Sequence, residues 1–595
     1  MASARPIRKN IRMNPSGTPT GTTEATGATP ASRAPLAKAR ITVGELIARF
    51  LGQCGTRAAF GVISIHNMPI LDAFNARKAL PDGIRDGIRF VPARGEAGAC
   101  NMADAYARVS GQLGVCVTST GTGAGNAAGA LVEAMTAGTA MLHLTGQIES
   151  EFIDRDLGFI HEAPAQLAML QAVSKAAFRI RNAATALATL REAVRIAQTP
   201  PCGPVSIEIP IDVQASLLAL PADLSSLITV PLQAAESDLD ELTDLLWGAK
   251  RPLLWLGGGA RLAGPAVQRF IDMGWGVVTS VQGRGIVAEG HPASLGSYNL
   301  HKAAEDLYAQ CDAMLVVGSR LRSNETLRYQ LKLPKPLYRI DANALAQGRG
   351  YESDYFVQGD ALETLNAVAM RLTGRMAVDT HWQDQVQAAR KTAMAHVDAS
   401  LGPYLALKNE LQQQAGAAIW WVRDITLSNS MWGNRAPLLD HPRAGVHALG
   451  GGIGQGLAMA IGVALADQVH QLGRKTIALI GDGGFMLNLG ELACAVQERV
   501  DILFLVMNDG GYGVIKNIQD DIYGGRHCYV DLHTPDFAQL CASMGVEHLK
   551  LSAAAHTRHI LSQAMQLPGV VMLEVDMKSY GQFAAKFAGP ILKKD

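Results

Sequence analysis

The eight cysteines, at positions 54, 100, 116, 202, 311, 494, 528 and 541, form no C-x-x-C pair and follow no regular spacing. That excludes a zinc ribbon and a disulfide framework. Cys116 in GVCVTS and Cys494 in ELACAV read instead as small buried hydrophobes of a reducing compartment. Nowhere do about 18 apolar residues run without interruption, so no membrane span is expected. An excess of one charge is also missing, since 53 Lys and Arg face 53 Asp and Glu. Without a basic field nucleic acid is not an expected partner, and without an acidic one neither is a basic protein. No G-x-G-x-x-G follows a first strand with an acid about 20 residues on, which disfavours a plain dinucleotide-binding dehydrogenase.

What is present is apolar residues and glycine. A chain of 595 residues, 48% hydrophobic and 18% charged, describes a soluble globular protein of three or four domains. Its 61 glycines suit tightly packed α/β layers with glycine-rich ligand loops. Residues 1–38 differ: they are rich in Gly, Thr, Pro, Ser and Ala, with six arginines and lysines, among them Arg5, Arg8, Lys9, Arg12 and Arg33, against the single acid Glu24. Their prolines and glycines argue against the amphipathic helix of a transit peptide, so they read as a disordered extension of a cytoplasmic protein.

Chemistry concentrates late in the chain. Thr476–Ile480 (TIALI) reads as a buried strand, Glu491–Glu498 as a helix and Ile502–Met507 (ILFLVM) as a second buried strand. The first strand ends in Gly481-Asp482-Gly483-Gly484, the second in Asn508-Asp509-Gly510-Gly511-Tyr512-Gly513. In a parallel sheet both segments emerge at the carboxyl edge, where ligands bind. A carboxylate beside a carboxamide, with glycines leaving the backbone bare, suits a hard cation carrying a diphosphate. A lone Gly-Asp-Gly would be an ordinary polar turn.

The same alternation recurs upstream. Thr42 caps a helix through Phe50, and strands are expected at 58–63, 89–91, 114–118, 141–145 and 205–209, with Arg94-Gly95-Glu96 heading a helix over 97–109. The loop Thr120–Asn126 leads into a helix from Ala127. A linker over 220–235 precedes strands at 252–256, 277–280, 314–317 and 337–340, and a helical connector over 380–415 precedes strands at 437–439, 477–480, 503–507 and 570–575. The expected architecture is three successive doubly wound parallel-sheet domains, 39–215, 236–375 and 400–578, followed by a tail over 579–595.

In this order the stretches RGEAGACNMADAYARVSG, TSTGTGAGNAAGAL, LTGQIES, GGGIGQGLAMAIGVALA, GDGGFMLNLGELACAV and NDGGYG resemble the thiamine-diphosphate enzymes, the family of acetolactate synthase and benzoylformate decarboxylase. The resemblance covers nearly all of residues 41–578. It implies a pyrimidine-binding, a middle and a diphosphate-binding domain in turn. It implies that Asp482, Asn508 and the Gly510 carbonyl hold Mg²⁺, and that Gly481, Gly483, Gly484, Gly511, Tyr512, Asn429 and Ser430 lie at the diphosphate. Ile453 matches the bulky residue that bends the cofactor. Glu96 matches the general catalyst, whose hydrogen bond to the aminopyrimidine lets the 4′-nitrogen take the C2 proton. Alone, Glu96 would be a helix-start charge.

Substrate preference is less legible. His66, Gln147 and His161 fall where the family builds its pocket, although a lone histidine is usually a satisfied polar residue. The adjacent His-His pair of pyruvate decarboxylases is absent, and Gly95 replaces the His that some relatives place before the glutamate. The resemblance therefore implies an acetolactate-synthase-like carboligase (a transferase), with a decarboxylase or 2-hydroxyacyl or diketone lyase as alternative and a non-catalytic cofactor-binding relative behind both. A 2-oxoacid such as pyruvate would lose CO₂ and its acyl unit would join a second carbonyl. FAD or ADP in the middle domain stays open: GSRLRSNETLRYQ differs from the flavin stretch of acetolactate synthases, and Gly257–Gly259 also fits a tight turn. A homodimer is the implied minimum, a homotetramer the fuller assembly.

Overall fold

Strands with apolar residues on both faces, such as Ile502–Asn508 and Met141–Gln147, must be covered on both sides, which a parallel sheet with helical crossovers achieves. In the computed structural model, which describes residues 39–77 and 87–587, three such sheets follow one another. The first has six parallel strands in the spatial order 89–92, 58–61, 114–118, 141–147, 204–210 and 176–179. The second has five, in the order 276–279, 252–256, 313–317, 337–341 and 355–358. The third has six, in the order 445–447, 419–423, 475–481, 502–508, 570–576 and 547–551. The first and third share one strand order, and helices flank all three sheets. The expected fold class is the observed one. The extension expected at 1–38 lies outside the described residues, as does the end of the tail.

The helices Glu96–Ser110 and Gly456–His470 join the first sheet to the third. Gly462 lies against the Met102 backbone, where a Cβ would come within 2.2 Å of the Met102 carbonyl oxygen, so the crossing tolerates no side chain there. Met102, Tyr106, Leu457 and Ile461 are fully buried around that crossing, in a core continuous with both sheets. The connector forms two helices, Trp382–Ser400 and Tyr404–Ala415. The described part of the tail docks on the second, with Phe583 stacked on Tyr404 at 4.1 Å and the Tyr404 hydroxyl donating to the Gly581 carbonyl at 2.7 Å.

Two of the expected elements take another form. Residues 437–439 form no strand: the N–H groups of Leu438 and Leu439 donate to side chains, Gln412 Oε1 at 2.6 Å and Glu289 Oε2 at 2.8 Å. That side of the third sheet is built instead by Ile419–Arg423 and Gly445–His447. The helix expected from Ala127 begins at Thr122, so Gly123 and Gly125 lie in its first turns.

Candidate active site

Parallel pairing sets Gly481 beside Met507, so Asp482 and Asn508 leave neighbouring strands at the same edge. Asp482 opens the short helix Asp482–Leu487 and is buried, and neither carboxylate oxygen has a hydrogen-bond donor. Burial, then the adjacent Asp509 carboxylate, pushes its pKa well above the usual carboxylate range. Asp509 is raised too, chiefly by burial. A buried acid without a donor, beside a half-buried second acid, calls for a cation.

Around them the remaining donors are oxygens and bare backbone. Asn508 donates Nδ2–H to Glu574 Oε1 at 2.8 Å, which turns its Oδ1 toward the Gly510 N–H at 3.2 Å. Gly510 takes φ +72°, a turn that favours glycine. A side chain on Gly483 would strike the Tyr512 ring at 2.7 Å, and one on Gly511 the Val530 carbonyl at 2.3 Å. The site of Gly484's missing Cβ lies 3.0 Å from Asp424 Oδ2 and 3.5 Å from Ile453 Cγ1. Ile453 is 40% exposed, unusual for a residue so close to a core. Asn429 is buried in the turn Asn429–Gly433, and Ser430 Oγ donates to the Thr426 carbonyl at 3.4 Å. Among the described residues no three His, Cys, Asp or Glu side chains gather as a metal cluster. The set at this edge is carboxylate, amide and carbonyl, which is oxygen chemistry suited to Mg²⁺.

A second group of residues sits at the carboxyl edge of the first sheet. Glu96 begins its helix, half-buried, and accepts from Asn126 Nδ2 at 3.1 Å. Gly123 makes room for it: a Cβ there would stand 2.9 Å from Glu96 Oε1 and 2.8 Å from Ser119 Cβ. His66 and His161 meet edge to face, ring centroids 5.5 Å apart, and His161 Nδ1 lies 3.3 Å from Thr122 Oγ1. Burial, then His161, lowers the His66 pKa, against an opposing pull from Glu149. Gln147 lies beneath this edge rather than open to it. Its Oε1 accepts from Thr120 Oγ1 at 3.1 Å and its Nε2 reaches Glu208 Oε2 at 3.4 Å. Gln166 joins the same buried network and holds the Gly121 N–H at 2.6 Å.

Sequence reasoning missed Asp424, Asp509, Glu574 and Glu491. Glu491 accepts from the N–H groups of Arg94 and Gly95 at 3.0 Å, just ahead of Glu96. Asp424 directly follows a strand that was not foreseen, so its place at the carboxyl edge was hidden. Among the described residues no hydrogen bond or ion pair joins Glu96 itself to Asp482 or Asn508.

Family models for the thiamine pyrophosphate enzymes match this chain three times: the N-terminal binding domain over residues 41–170, the central domain over 239–368 and the C-terminal binding domain over 428–575. The chain belongs to the thiamine pyrophosphate enzymes. It is 30% identical over 523 residues to a probable 2-ketoarginine decarboxylase, AruI, of Pseudomonas aeruginosa, covering 85% of this chain and 88% of that protein. It is 26% identical over 546 residues to a probable acetolactate synthase large subunit of Methanocaldococcus jannaschii, with 86% and 90% covered. Acetolactate synthase isozyme 1 large subunit of Escherichia coli is 25% identical over 546 residues, with 90% and 94% covered. No described helix is long and apolar enough to cross a membrane.

Proposed function

We propose that this thiamine pyrophosphate enzyme uses Mg²⁺ and removes CO₂ from a 2-oxoacid, releasing the product by protonation. The observation that carries the metal and diphosphate is Asp482, a buried carboxylate without a donor beside a second acid, at an edge of bare glycine backbone. Asp482, Asn508 Oδ1 and the Gly510 carbonyl would hold the cation, and the amides of Gly483 and Gly484 would face the diphosphate. When bound, thiamine diphosphate supplies an electron sink for the bond beside the carbonyl. Glu96 would take and return the proton at its carboxyl, in the space that Gly123 leaves open. The rings of His66 and His161, far apart in sequence, face each other and would present imidazole N–H groups to the pocket. That pair favours protonation over addition to a second carbonyl.

Because Glu96 and Asp482 lie in separate groups within one chain, two copies would complete each site. Exposed apolar side chains flank both groups, Ile63 and Ile160 near one, Ile453 and Leu487 near the other, and a partner would cover them.

Acetolactate-synthase-like carboligation is the second reading, supported by likeness to large subunits over most of the chain. One experiment separates the two. Purified protein with Mg²⁺ and thiamine diphosphate is given pyruvate or 2-oxo-5-guanidinopentanoate, and CO₂, aldehyde and C–C coupled products are followed together. Aldehyde equal to CO₂ supports the first reading. Acetolactate or an acyloin equal to half the CO₂ or more supports the second, and no CO₂ from either acid removes both for these substrates.

The middle domain suits a nucleotide. A cavity of about 610 Å³ opens beside Gly258, Gly259, Gly318 and Asp341, bordered by Arg261 and Arg322. Arg261 Nε is buried without an acceptor, and burial followed by Arg443 and Arg108 lowers its pKa. A half-buried arginine whose Nε lacks an acceptor, lining the same cavity as bare glycines, fits the phosphates of ADP or FAD.

A further inference from the structure

Ile453 projects from a loop that has no regular structure to hold it, with Gly451 and Gly454 on either side at φ +82° and +88°. Such a loop would be soft if its backbone groups were left to solvent. They are not. On the amino side, Glu133 of the helix Thr122–Ala137 accepts from the Leu449 N–H at 2.7 Å and from the Gly450 N–H at 2.6 Å. On the carboxyl side, Asp424 accepts from the Gly454 N–H at 3.1 Å and from the Gly456 N–H at 3.0 Å. Both acids are buried, Glu133 1% exposed and Asp424 fully enclosed. Hydrogen bonds to a buried carboxylate are the strong kind, and a bidentate one fixes orientation as well as distance.

The two acids come from different layers. Glu133 belongs to the first sheet's helices and is itself held by Arg108, which also pairs with Asp104. Asp424 directly follows the strand Ile419–Arg423 of the third sheet, and its Oδ2 lies 3.0 Å from where a Gly484 side chain would begin. Asp424 thus touches both the loop of Ile453 and the glycine turn that follows Asp482. It ties the height of Ile453 to the turn that would bind the diphosphate. The carboxylate oxygens of both acids are occupied by these backbone donors.

We propose that Asp424 and Glu133 are positioning residues that pin the two shoulders of the Ile453 loop and so set the bend of the bound cofactor. The proposal rests on the reading of Ile453 as the residue beneath that bend. Removing either acid would let Ile453 sink or swing, so the aminopyrimidine nitrogen would stand farther from C2, while Gly483, packed on Tyr512 and Leu532, and the Asp482 and Asn508 side chains, which neither acid bonds, would keep their place.

The test uses full-length protein loaded with thiamine diphosphate and Mg²⁺. Deuterium exchange at C2 of the bound cofactor is followed by quenched-flow NMR, and the cofactor's dissociation constant by tryptophan fluorescence. In Asp424→Asn and in Glu133→Gln, exchange is expected to slow by about tenfold or more while the dissociation constant moves by less than about threefold. On an Ile453→Ala background neither substitution is expected to slow exchange further, because all three act on one contact. Normal exchange in Asp424→Asn and Glu133→Gln, with slow exchange in Ile453→Ala, overturns the pinning and leaves the reading of Ile453 intact. Normal exchange in Ile453→Ala overturns that reading and the proposal with it. Losses that add to that of Ile453→Ala, or that track lost cofactor affinity, also overturn the proposal, since a general structural role would produce them. Should Asp424→Asn fail to fold, Glu133→Gln decides the matter by the same criteria.

Discussion

Asn508 and Glu574 sit on neighbouring strands, Asn508 level with Asp576, and the 2.8 Å bond from Asn508 Nδ2 to Glu574 Oε1 decides which end of the amide faces the sheet edge. A carboxylate accepts only, so the Asn508 nitrogen must turn to it and the oxygen must turn away. Glu574 is itself held by His548 Nε2 at 3.0 Å. Partners of this kind govern metal affinity without touching the metal. Glu574→Ala is expected to weaken Mg²⁺ binding by about 10- to 100-fold. Titration of Mg²⁺ into protein with excess thiamine diphosphate, read by tryptophan fluorescence, checks it.

Glu96 and Gly123 make a paired prediction. Glu96→Gln keeps the shape of the side chain and the bond to Asn126 but removes the proton acceptor. Turnover is expected to fall by about 10²- to 10⁴-fold with the fold and cofactor affinity retained. Gly123→Ala adds one methyl group where Glu96 Oε1 stands 2.9 Å away. It is expected to cost about 10- to 100-fold by displacing the carboxylate. Steady-state kinetics with circular dichroism and cofactor titration separates these losses from unfolding. Full turnover in Glu96→Gln would remove Glu96 from the chemistry.

Much of this arrangement was legible beforehand because it is local. Strands such as Pro252–Leu256 and Gly114–Thr118 stand where their apolar runs end, and Asp482 and Asn508 follow strands whose burial on both faces leaves an unbroken apolar signal. Two strands were harder. Glu547–Leu551, at the sheet edge, is half-exposed and alternates charge with leucine, and the interior strand Ile419–Arg423 ends in a buried arginine that breaks the apolar pattern. With that strand hidden, Asp424 had no place at the edge. The glycines of 121–125 resembled a loop, whereas Gly123 is a helical residue whose lack of a side chain accommodates Glu96. The facing of His66 and His161 joins residues far apart in sequence, which no local pattern reveals.

The middle-domain cavity gives a prediction independent of turnover. If Arg261 binds phosphate, protein denatured by heat should release an adenine nucleotide absorbing near 260 nm, or a flavin absorbing near 450 nm as well. Arg261→Ala should release less of either, by about tenfold, since a charged hydrogen bond contributes roughly 1.5–3 kcal/mol. Native protein that releases no nucleotide and is not thermally stabilised by added ADP or FAD would leave the cavity without that role.

His143 supplies the pH dependence. It lies fully buried in the strand Met141–Gln147, with Nε2 2.9 Å from Thr118 Oγ1 and Nδ1 3.0 Å from Ser206 Oγ. Burial pushes its pKa down to about 4. An unfolded histidine titrates near 6.5, so as pH falls below that value the unfolded chain takes a proton that the native one refuses. The native state is therefore penalised progressively from about pH 6.5 to about pH 4, by roughly 2 kcal/mol at pH 5. The neutral ring is fully compatible with the fold above that window, so stability from this group is unaffected at pH 7 and higher. His143→Asn keeps polar atoms for Thr118 and Ser206 but cannot titrate. It is expected to lower the thermal-unfolding midpoint at pH 7, where a cavity and a poorer bond geometry act, yet to lose less on going from pH 7 to pH 5 than the parent chain. Scanning calorimetry of both proteins at the two pH values checks the difference, and an equal loss in both would mean that the ring takes up its proton without opening the first sheet.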